Sequence, residues 1–132
     1  IYNNLIFMIT PYVANIEEET LKNDFFRKEV FTGEHLQITV MSINPGEDIG
    51  LETHPHTDQF LRVEQGSGKA IIGGQEYEVS DAFGITIPAG MEHNVINTGI
   101  VAMKMYSIYT PPNHPVGTIH ETKADADAAE HH

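Results

Sequence analysis

The 132-residue chain carries 19 acidic and 7 basic residues, giving a formal net charge of −12 at pH 7, and it contains no cysteine. A chain of this length fits one domain with one hydrophobic core. The lack of cysteine excludes thiol catalysis, disulfides and thiolate metal sites, so a metal would have to take nitrogen or oxygen ligands. The excess of acidic over basic residues argues against binding to nucleic acid or to an anionic membrane surface, since both require clustered Lys and Arg.

Residues 1–34 are expected to form an N-terminal extension with an edge strand. The apolar patches near the start are shorter than the roughly 20 residues that span a bilayer, so we expect no membrane span, no signal and a cytoplasmic location. The apolar stretch 5–9 offers a strand for exchange with a second copy, which predicts a homodimer. Asn15 followed by Glu18 resembles a helix N-cap and predicts a short helix through Lys22.

Short runs of β-branched and aromatic residues, separated by Gly and Pro, indicate an all-β domain. The pair Gly73-Gly74 predicts a two-residue hairpin turn. Within 36–41, apolar and mixed side chains alternate, as in a barrel wall beside a semi-polar cavity, although a solvated outer face would give the same pattern. The predicted strands are 30–31, 35–43, 50–54, 59–65, 69–72, 75–79, 82–87, 92–97 and 101–109.

Residues 111–132 are expected to form a C-terminal proline-rich segment and a short helix or tail. The prolines keep 110–120 from pairing as a central strand, so this segment is expected to pack over a barrel opening or against a partner subunit. Thr122 could cap an alanine-rich helix over 124–130. The pair His131-His132 is either native or the remnant of a tag, and we exclude it from the site.

The segment 45–66 is rich in potential metal ligands at short spacing. Glu52 and His54 are two residues apart, and side chains two apart in an extended strand share a face, so both could bind one ion. If the chain then reverses over 55–58, Gln59 opens the returning strand, where its amide oxygen could reach the same ion.

A second segment places His93 shortly after a Pro and Gly turn, where it could close the same site. The two segments together resemble the paired motifs of the cupin superfamily, G-x5-HxH-x(3,4)-E-x6-G and G-x5-PxG-x2-H-x3-N. The first motif is matched in spacing by Gly46, Glu52, His54, Gln59 and Gly66. The second motif is matched by Ala82, Pro88, Gly90, His93 and Asn97.

Three of these positions depart from the family pattern. Glu52 stands where the first His is usual, Gln59 where the Glu is usual, and Ala82 where a Gly leads the second motif. The first two changes keep four ligating groups and one formal negative charge, so metal binding is still expected.

A competing register takes His54 and His56 as the paired histidines. It puts Phe60, which cannot bind a metal, at the carboxylate position, and we therefore favour Glu52 and His54. In the favoured register His56 lies near the cavity mouth or at the surface, where it is a candidate catalytic proton carrier.

The resemblance implies a cupin double-stranded β-helix, that is, a jelly-roll barrel over 35–110 with short terminal extensions. It also implies one divalent transition metal, Mn, Fe, Ni or Zn, held by Glu52, His54, Gln59 and His93. The function expected first is a metal-dependent isomerase, lyase or dioxygenase acting on a small oxygen-rich molecule of the sugar or carboxylate type. The alternatives are a non-catalytic ligand-binding module with a structural metal, and a metal-free barrel.

Residues outside the two motifs receive structural interpretations. His35, His114 and His120 are expected to be hydrogen-bonded structural residues. Lys104 and Tyr106 share a face of the last long strand and could line the cavity.

Overall fold

The computed structural model describes residues 9–130, whose strands form two antiparallel sheets around one core. The strands are β1 Arg27–Thr32, β2 Gln37–Ile43, β3 Asp58–Gln65, β4 Ser67–Ile72, β5 Gln75–Ser80, β6 Gly84–Ile87, β7 His93–Ile96, β8 Met103–Thr110 and β9 Ile119–His120. The larger sheet has the order β6-β3-β8-β2-β1-β9 and the smaller one β5-β4-β7. The predicted all-β jelly-roll architecture is therefore confirmed.

The central strands alternate between an inward and an outward face, as period-two side-chain geometry requires. On β3, Leu61 and Val63 are completely buried, whereas Arg62 and Glu64 pair with each other on the outer face, 2.8 Å apart. The inward orientation of Leu61 and Val63 fixes the face to which Gln59 also belongs.

Glycines shape the smaller sheet at two points. A Cβ on Gly68 would lie 2.2 Å from the carbonyl oxygen of Ile96, so only glycine permits this approach of the chain to β7. Gly73 and Gly74 have φ angles of +57° and +84° and join β4 to β5, which confirms the predicted hairpin turn.

Two helices flank the sheets in the described part of the chain, α1 Ile16–Lys22 and α2 Lys123–Glu130. The side chain of Asn15 accepts a hydrogen bond from Glu18 N at 3.0 Å, and Thr122 Oγ1 accepts one from Asp125 N at 3.1 Å. Both predicted caps are confirmed. Neither helix has the length and apolar character needed to cross a membrane.

The sequence prediction of a strand over 50–54 is wrong. Gly50 has a φ of +95°, which turns the backbone away from the extended conformation. Only isolated bridges remain on either side of it, from Asp48 to Ile96 and from Glu52 to His93. The ligand-rich segment is therefore a loop attached at two points to the edge strand β7.

The expectation that Lys104 and Tyr106 line the cavity is also wrong. Lys104 Nζ donates hydrogen bonds to Asn23 O and Asp24 Oδ1 below α1, and Tyr106 packs against Phe60 on the outer face. Successive side chains of a strand point to opposite faces, so the inward residues of β8 are Met103, Met105, Ser107 and Tyr109.

Most strand limits differ from the predicted ones by one or two residues, and the largest differences lie in the first two strands. The first strand begins at Arg27, ahead of the predicted 30–31, since pairing with β2 includes a charged stretch that has no strand pattern of its own. Strand β2 begins at Gln37 and leaves 35–36 outside. The short β9 pairs with β1 at the edge of the sheet, in agreement with the prediction that its segment forms no central strand. The predicted exchange strand 5–9 lies, apart from its last residue, outside the described residues.

Candidate metal centre

Three potential ligands converge on one point inside the barrel. One ligand atom from each of Glu52, His54 and His93 lies within 4.8 Å of the other two. The two imidazole ring centroids are 5.2 Å apart, and His54 Nε2 is 3.0 Å from Glu52 Oε2. A single ion could contact all three atoms.

Backbone pairing explains why residues far apart in sequence meet here. Glu52 N donates to His93 O, and His93 N donates to Glu52 O, both at 2.9 Å. This two-bond bridge puts the two side chains opposite each other. The carbonyl of His54 accepts a hydrogen bond from Gly90 N at 2.8 Å, which ties the turn before β7 to the ligand loop.

The imidazole of His93 is oriented by a backbone carbonyl. Its Nδ1 lies 3.0 Å from Met91 O. Because a carbonyl oxygen can only accept, Nδ1 carries the hydrogen and Nε2 is left with a free lone pair. This is the arrangement by which proteins present a histidine to a metal.

Gln59 lies on the same inner wall of β3, with only 4 % of its surface exposed. Its amide nitrogen donates to Ser107 Oγ at 2.9 Å, whereas its amide oxygen has no partner. In this orientation the amide oxygen is free of hydrogen bonds and available as a ligand.

Unpaired polar atoms are concentrated in this interior. Within residues 9–130, six buried side-chain nitrogen or oxygen atoms make no hydrogen bond, among them His54 Nε2, Gln59 Oε1 and His93 Nε2. His54 Nε2 is in ion-pair contact with Glu52, whereas Gln59 Oε1 and His93 Nε2 have no partner. Buried polar atoms are normally paired, so two free acceptors beside this close histidine–carboxylate pair fit a bound cation. Two imidazoles, a carboxylate and an amide oxygen suit Mn, Fe, Ni or Zn.

The electrostatics keep Glu52 ready to bind a cation. Burial by itself would raise the pKa of the Glu52 carboxyl, but contact with His54 and the charge of Arg27 outweigh it and hold that pKa below its ordinary value. Arg27 Nη2 lies 3.9 Å from Glu52 Oε1, on the side of the carboxylate away from the His54 contact. Glu52 is therefore ionised at neutral pH.

Tyr109 and His114 extend the polar interior beyond the ligands. The Tyr109 ring lies 6.0 Å from the His54 ring and 5.1 Å from the His114 ring, and His114 Nε2 is 3.4 Å from Tyr109 Oη. Burial raises the pKa of Tyr109. Burial, followed by the nearby charge of Arg27, lowers the pKa of His114 to about 3, so both groups are neutral at pH 7.

Gln37 holds His114 in place. Its amide oxygen accepts hydrogen bonds from Asn113 N and His114 N, and its amide nitrogen donates to His114 O at 2.7 Å. The proline-rich segment thus covers the barrel end at Tyr109, which is one of the two positions expected for it. His114 faces the interior beside the centre, a placement that its sequence position did not indicate.

His56 occupies a different environment. Its side chain is exposed, and it has no hydrogen bond, ion pair or ring contact with other described residues. It therefore stands apart from the group formed by Glu52, His54 and His93. The surface cavity of about 610 Å³ between α1 and β1 also lies away from this group.

Arg27, Thr39 and Tyr109 are interior residues that the sequence analysis did not single out. Arg27 sits in the charged run that opens β1, and Thr39 and Tyr109 carry no motif spacing. The alternation in 36–41 was the available signal for Thr39, since it marked the mixed face that turns out to be the inner one.

Comparison with known proteins settles the family. A family model described as the cupin domain matches residues 39–109. The chain belongs to the cupin family. This cupin is 55 % identical over 126 residues to uncharacterized protein YrkC of Bacillus subtilis, an alignment that covers 91 % of the present chain and 68 % of YrkC.

Solved cupin structures resemble it as well. The crystal structure of BH2720 from Bacillus halodurans is 57 % identical, has a TM-score of 0.89, and is matched over 90 % of this chain and 95 % of that one. A predicted oxalate decarboxylase from Thermotoga maritima is 18 % identical with a TM-score of 0.57, over 60 % of this cupin and 69 % of that chain. At that identity the second likeness concerns the fold alone.

Proposed function

We propose that this cupin is a metal-dependent enzyme that acts on a small oxygen-rich molecule of the sugar or carboxylate type. One divalent transition ion would be held by Glu52, His54, Gln59 and His93. The observation that carries the proposal is the pair of buried, unpartnered acceptor atoms on Gln59 and His93, beside the contact between His54 and an ionised Glu52. Leaving such atoms unpaired is destabilising, and a bound cation removes the penalty.

The donor set favours reactivity over a purely structural ion. Four protein donors leave about two positions of a six-coordinate ion for a small molecule, whereas closed structural sites use all positions. Since Gln59 is neutral, Glu52 is the one anionic ligand of the four. A divalent ion held there would keep enough charge to polarise an oxygen of a bound molecule.

The chain's own residues provide access and exclusion of water. The side chains of Glu52 and His54 are 14 % and 12 % exposed, whereas His93 and Gln59 are more deeply buried, so a ligand would enter past the first pair. Tyr109, which is buried next to His54, and His114 beside it help to keep water out of the interior. His56, exposed and two residues from His54, remains our proposed proton carrier to solvent.

Metal replacement followed by a substrate screen tests the proposal. Chelator-treated protein is reloaded with Mn(II), Fe(II), Ni(II) or Zn(II) in turn, and each form is incubated with small sugars, uronic acids, hydroxy acids and keto acids under NMR detection. We expect one ion per chain and turnover that depends on the ion used. In His93→Leu both should be lost. His35→Ala serves as the matched control, because His35 is 87 % exposed and outside the centre.

The other outcomes select the alternatives. Stoichiometric metal that raises the melting temperature without turnover of any candidate would favour a non-catalytic ligand-binding module. Wild-type protein that takes up no metal even after loading would favour the metal-free barrel and contradict the proposal.

The expected homodimer and cytoplasmic location remain predictions. Light scattering at micromolar concentration tests the first, and a monomer there would contradict it. Fractionation of cells that produce the native protein tests the second. The boundaries of the three predicted segments, 1–34, 35–110 and 111–132, also remain predictions.

A further inference from the structure

Two of the remaining unpaired atoms belong to the same interior as the metal centre. They are Arg27 Nε and Thr39 Oγ1. Arg27 is 2 % exposed, and Thr39 is completely buried. Thr39 of β2 pairs with Ser107 of β8, two residues from Tyr109 on the same inner face. Arg27 of β1 pairs with Met41, two residues from Thr39 on the inner face of β2. Together with Tyr109, Arg27 and Thr39 form a second group of polar side chains, none of which is among the four proposed metal ligands.

The guanidinium of Arg27 is incompletely paired. Its Nη1 lies 3.2 Å from His120 Nδ1, and its Nη2 is 3.9 Å from Glu52 Oε1, beyond hydrogen-bonding distance. A guanidinium has five N–H donors in a planar fork that matches the two oxygens of a carboxylate. Burying a guanidinium without such a partner is unfavourable. An anionic ligand bound to Arg27 would therefore stabilise the protein.

The net charge of the interior also favours an anionic ligand. Glu52 is the carboxylate that faces Arg27, and a divalent ion on the other oxygen of Glu52 would share its negative charge. His114 and Tyr109 are neutral, so neither offsets Arg27. With the ion bound, the centre has an excess of positive charge that an anion would balance.

We propose that Arg27, with the hydroxyls of Thr39 and Tyr109, forms a carboxylate-binding subsite beside the metal centre. The substrate is then a small organic acid, such as a hydroxy, keto or uronic acid, with a second oxygen that reaches the ion. This inference rests on the proposed function. Arg27 and the His54 contact lie at different oxygens of one Glu52 carboxylate, so a molecule of few carbons spans the two.

A carboxylate fits this subsite better than a phosphate. The fork of one guanidinium pairs with two oxygens, and two neutral hydroxyls stand beside it. A phosphate dianion has a further charged oxygen that this set of donors would leave unpaired. Inorganic phosphate is therefore the discriminating competitor.

Matched acid and alcohol pairs test the subsite by calorimetry on Mn(II)-loaded protein. The pairs are D-glucuronate with D-glucose, and lactate with 1,2-propanediol. We expect at least one acid to bind ten-fold or more tightly than its neutral partner, and R27Q to abolish that preference while its metal content stays at the wild-type level. The acid preference of R27K, which keeps the charge but loses the planar fork, should lie between those of the wild type and R27Q. Equal binding within both pairs, no binding by either acid, or an undiminished preference in R27Q would overturn the subsite.

Two further measurements keep the test decisive. T39V replaces the hydroxyl by a methyl group at nearly constant volume. It should weaken binding of the preferred acid about three-fold or more and leave binding of the neutral partner unchanged. This variant tests the subsite if R27Q does not fold. Tighter binding of inorganic phosphate than of either acid would overturn the carboxylate assignment. Failure of the wild type to take up any of Mn(II), Fe(II), Ni(II) and Zn(II) would contradict the proposed function. The acid preference of the metal-free protein and its R27Q variant would then test the Arg27 subsite separately.

Discussion

The inward-facing side chains of β2, β3 and β8 differ sharply between the two ends of the barrel, although both ends are buried. At the apolar end lie Ile43, Met41, Leu61, Val63, Met103 and Met105. At the polar end lie Gln37, Thr39, Gln59, Ser107 and Tyr109. The register aligns this change between β2 and β8, since Met41 pairs with Met105 and Thr39 pairs with Ser107. On β3 the change falls one inward residue earlier, because Leu61 pairs with Ser107. Burial stabilises the first end, whereas at the second it leaves atoms that need a bound partner.

The comparison is tested most strongly on β3, where Leu61 and Gln59 are two residues apart on one face. Leu61→Ala should lower the free energy of unfolding by about 3 kcal/mol, through lost burial and a residual cavity. Gln59→Ala in metal-free protein should lower it by less than half as much, because it also removes an unpaired oxygen. Urea unfolding in the presence of chelator gives both values.

The losses of metal in the same two variants should rank in the opposite order to their losses of stability. Leu61→Ala should keep its metal as long as it is folded, and Gln59→Ala should bind it more weakly. Equal losses of stability in the two variants, or metal loss in Leu61→Ala alone, would contradict the distinction between the ends.

The alternating pattern and the paired motifs made much of this architecture predictable. Spacing alone identified Glu52, His54 and His93, because the motif positions encode which strands meet. It could not foresee that Glu52 lies in a loop, since the turn at Gly50 is decided by pairing with β7. Ala82 adopts a φ of +71°, which explains why a glycine is usual at that motif position.

The polar end should also respond to acid. The pKa of His114 is lowered from 6.5 to about 3, so between these values the unfolded chain binds a proton that the folded chain excludes. Stability is therefore complete above pH 6.5 and falls as the pH drops through this window, by up to about 1.4 kcal/mol per pH unit. His114→Gln should remove that part of the slope in metal-free protein. Identical pH profiles of unfolding for the two proteins would show that His114 is not held neutral by burial.

The smallest expected effect is a change in stability that has opposite signs at the two ends of the barrel. Thr39→Val removes an unpaired buried hydroxyl at nearly constant volume and should stabilise the ligand-free protein by roughly 1 kcal/mol. The reverse exchange at the apolar end, Val63→Thr, should destabilise it by about 1–3 kcal/mol. Thermal unfolding of both in chelator checks the pair, and destabilisation by Thr39→Val would mean that its hydroxyl is paired in the free protein.

The inward placement of Arg27 and His114 could not be predicted from the sequence. A charged residue at the start of a strand usually points to solvent, and a histidine in a proline-rich segment has no periodic neighbour that reveals its direction. Both turn inward because of distant contacts: Arg27 through the pairing of β1 with β9, and His114 through the hydrogen bonds of Gln37. Such placements depend on tertiary pairing that local patterns do not contain.

The most direct test of the metal centre is an anomalous-scattering map from crystals soaked in Mn(II) or Zn(II) and recorded near the absorption edge of each metal. We predict one strong peak per chain, about 2.0–2.3 Å from Glu52, His54, Gln59 and His93. The amide oxygen of Gln59 should face the ion. Absence of a peak among these four side chains at full soaking concentration, or peaks confined to surface carboxylates and histidines, would contradict the claim that the polar end is a metal centre.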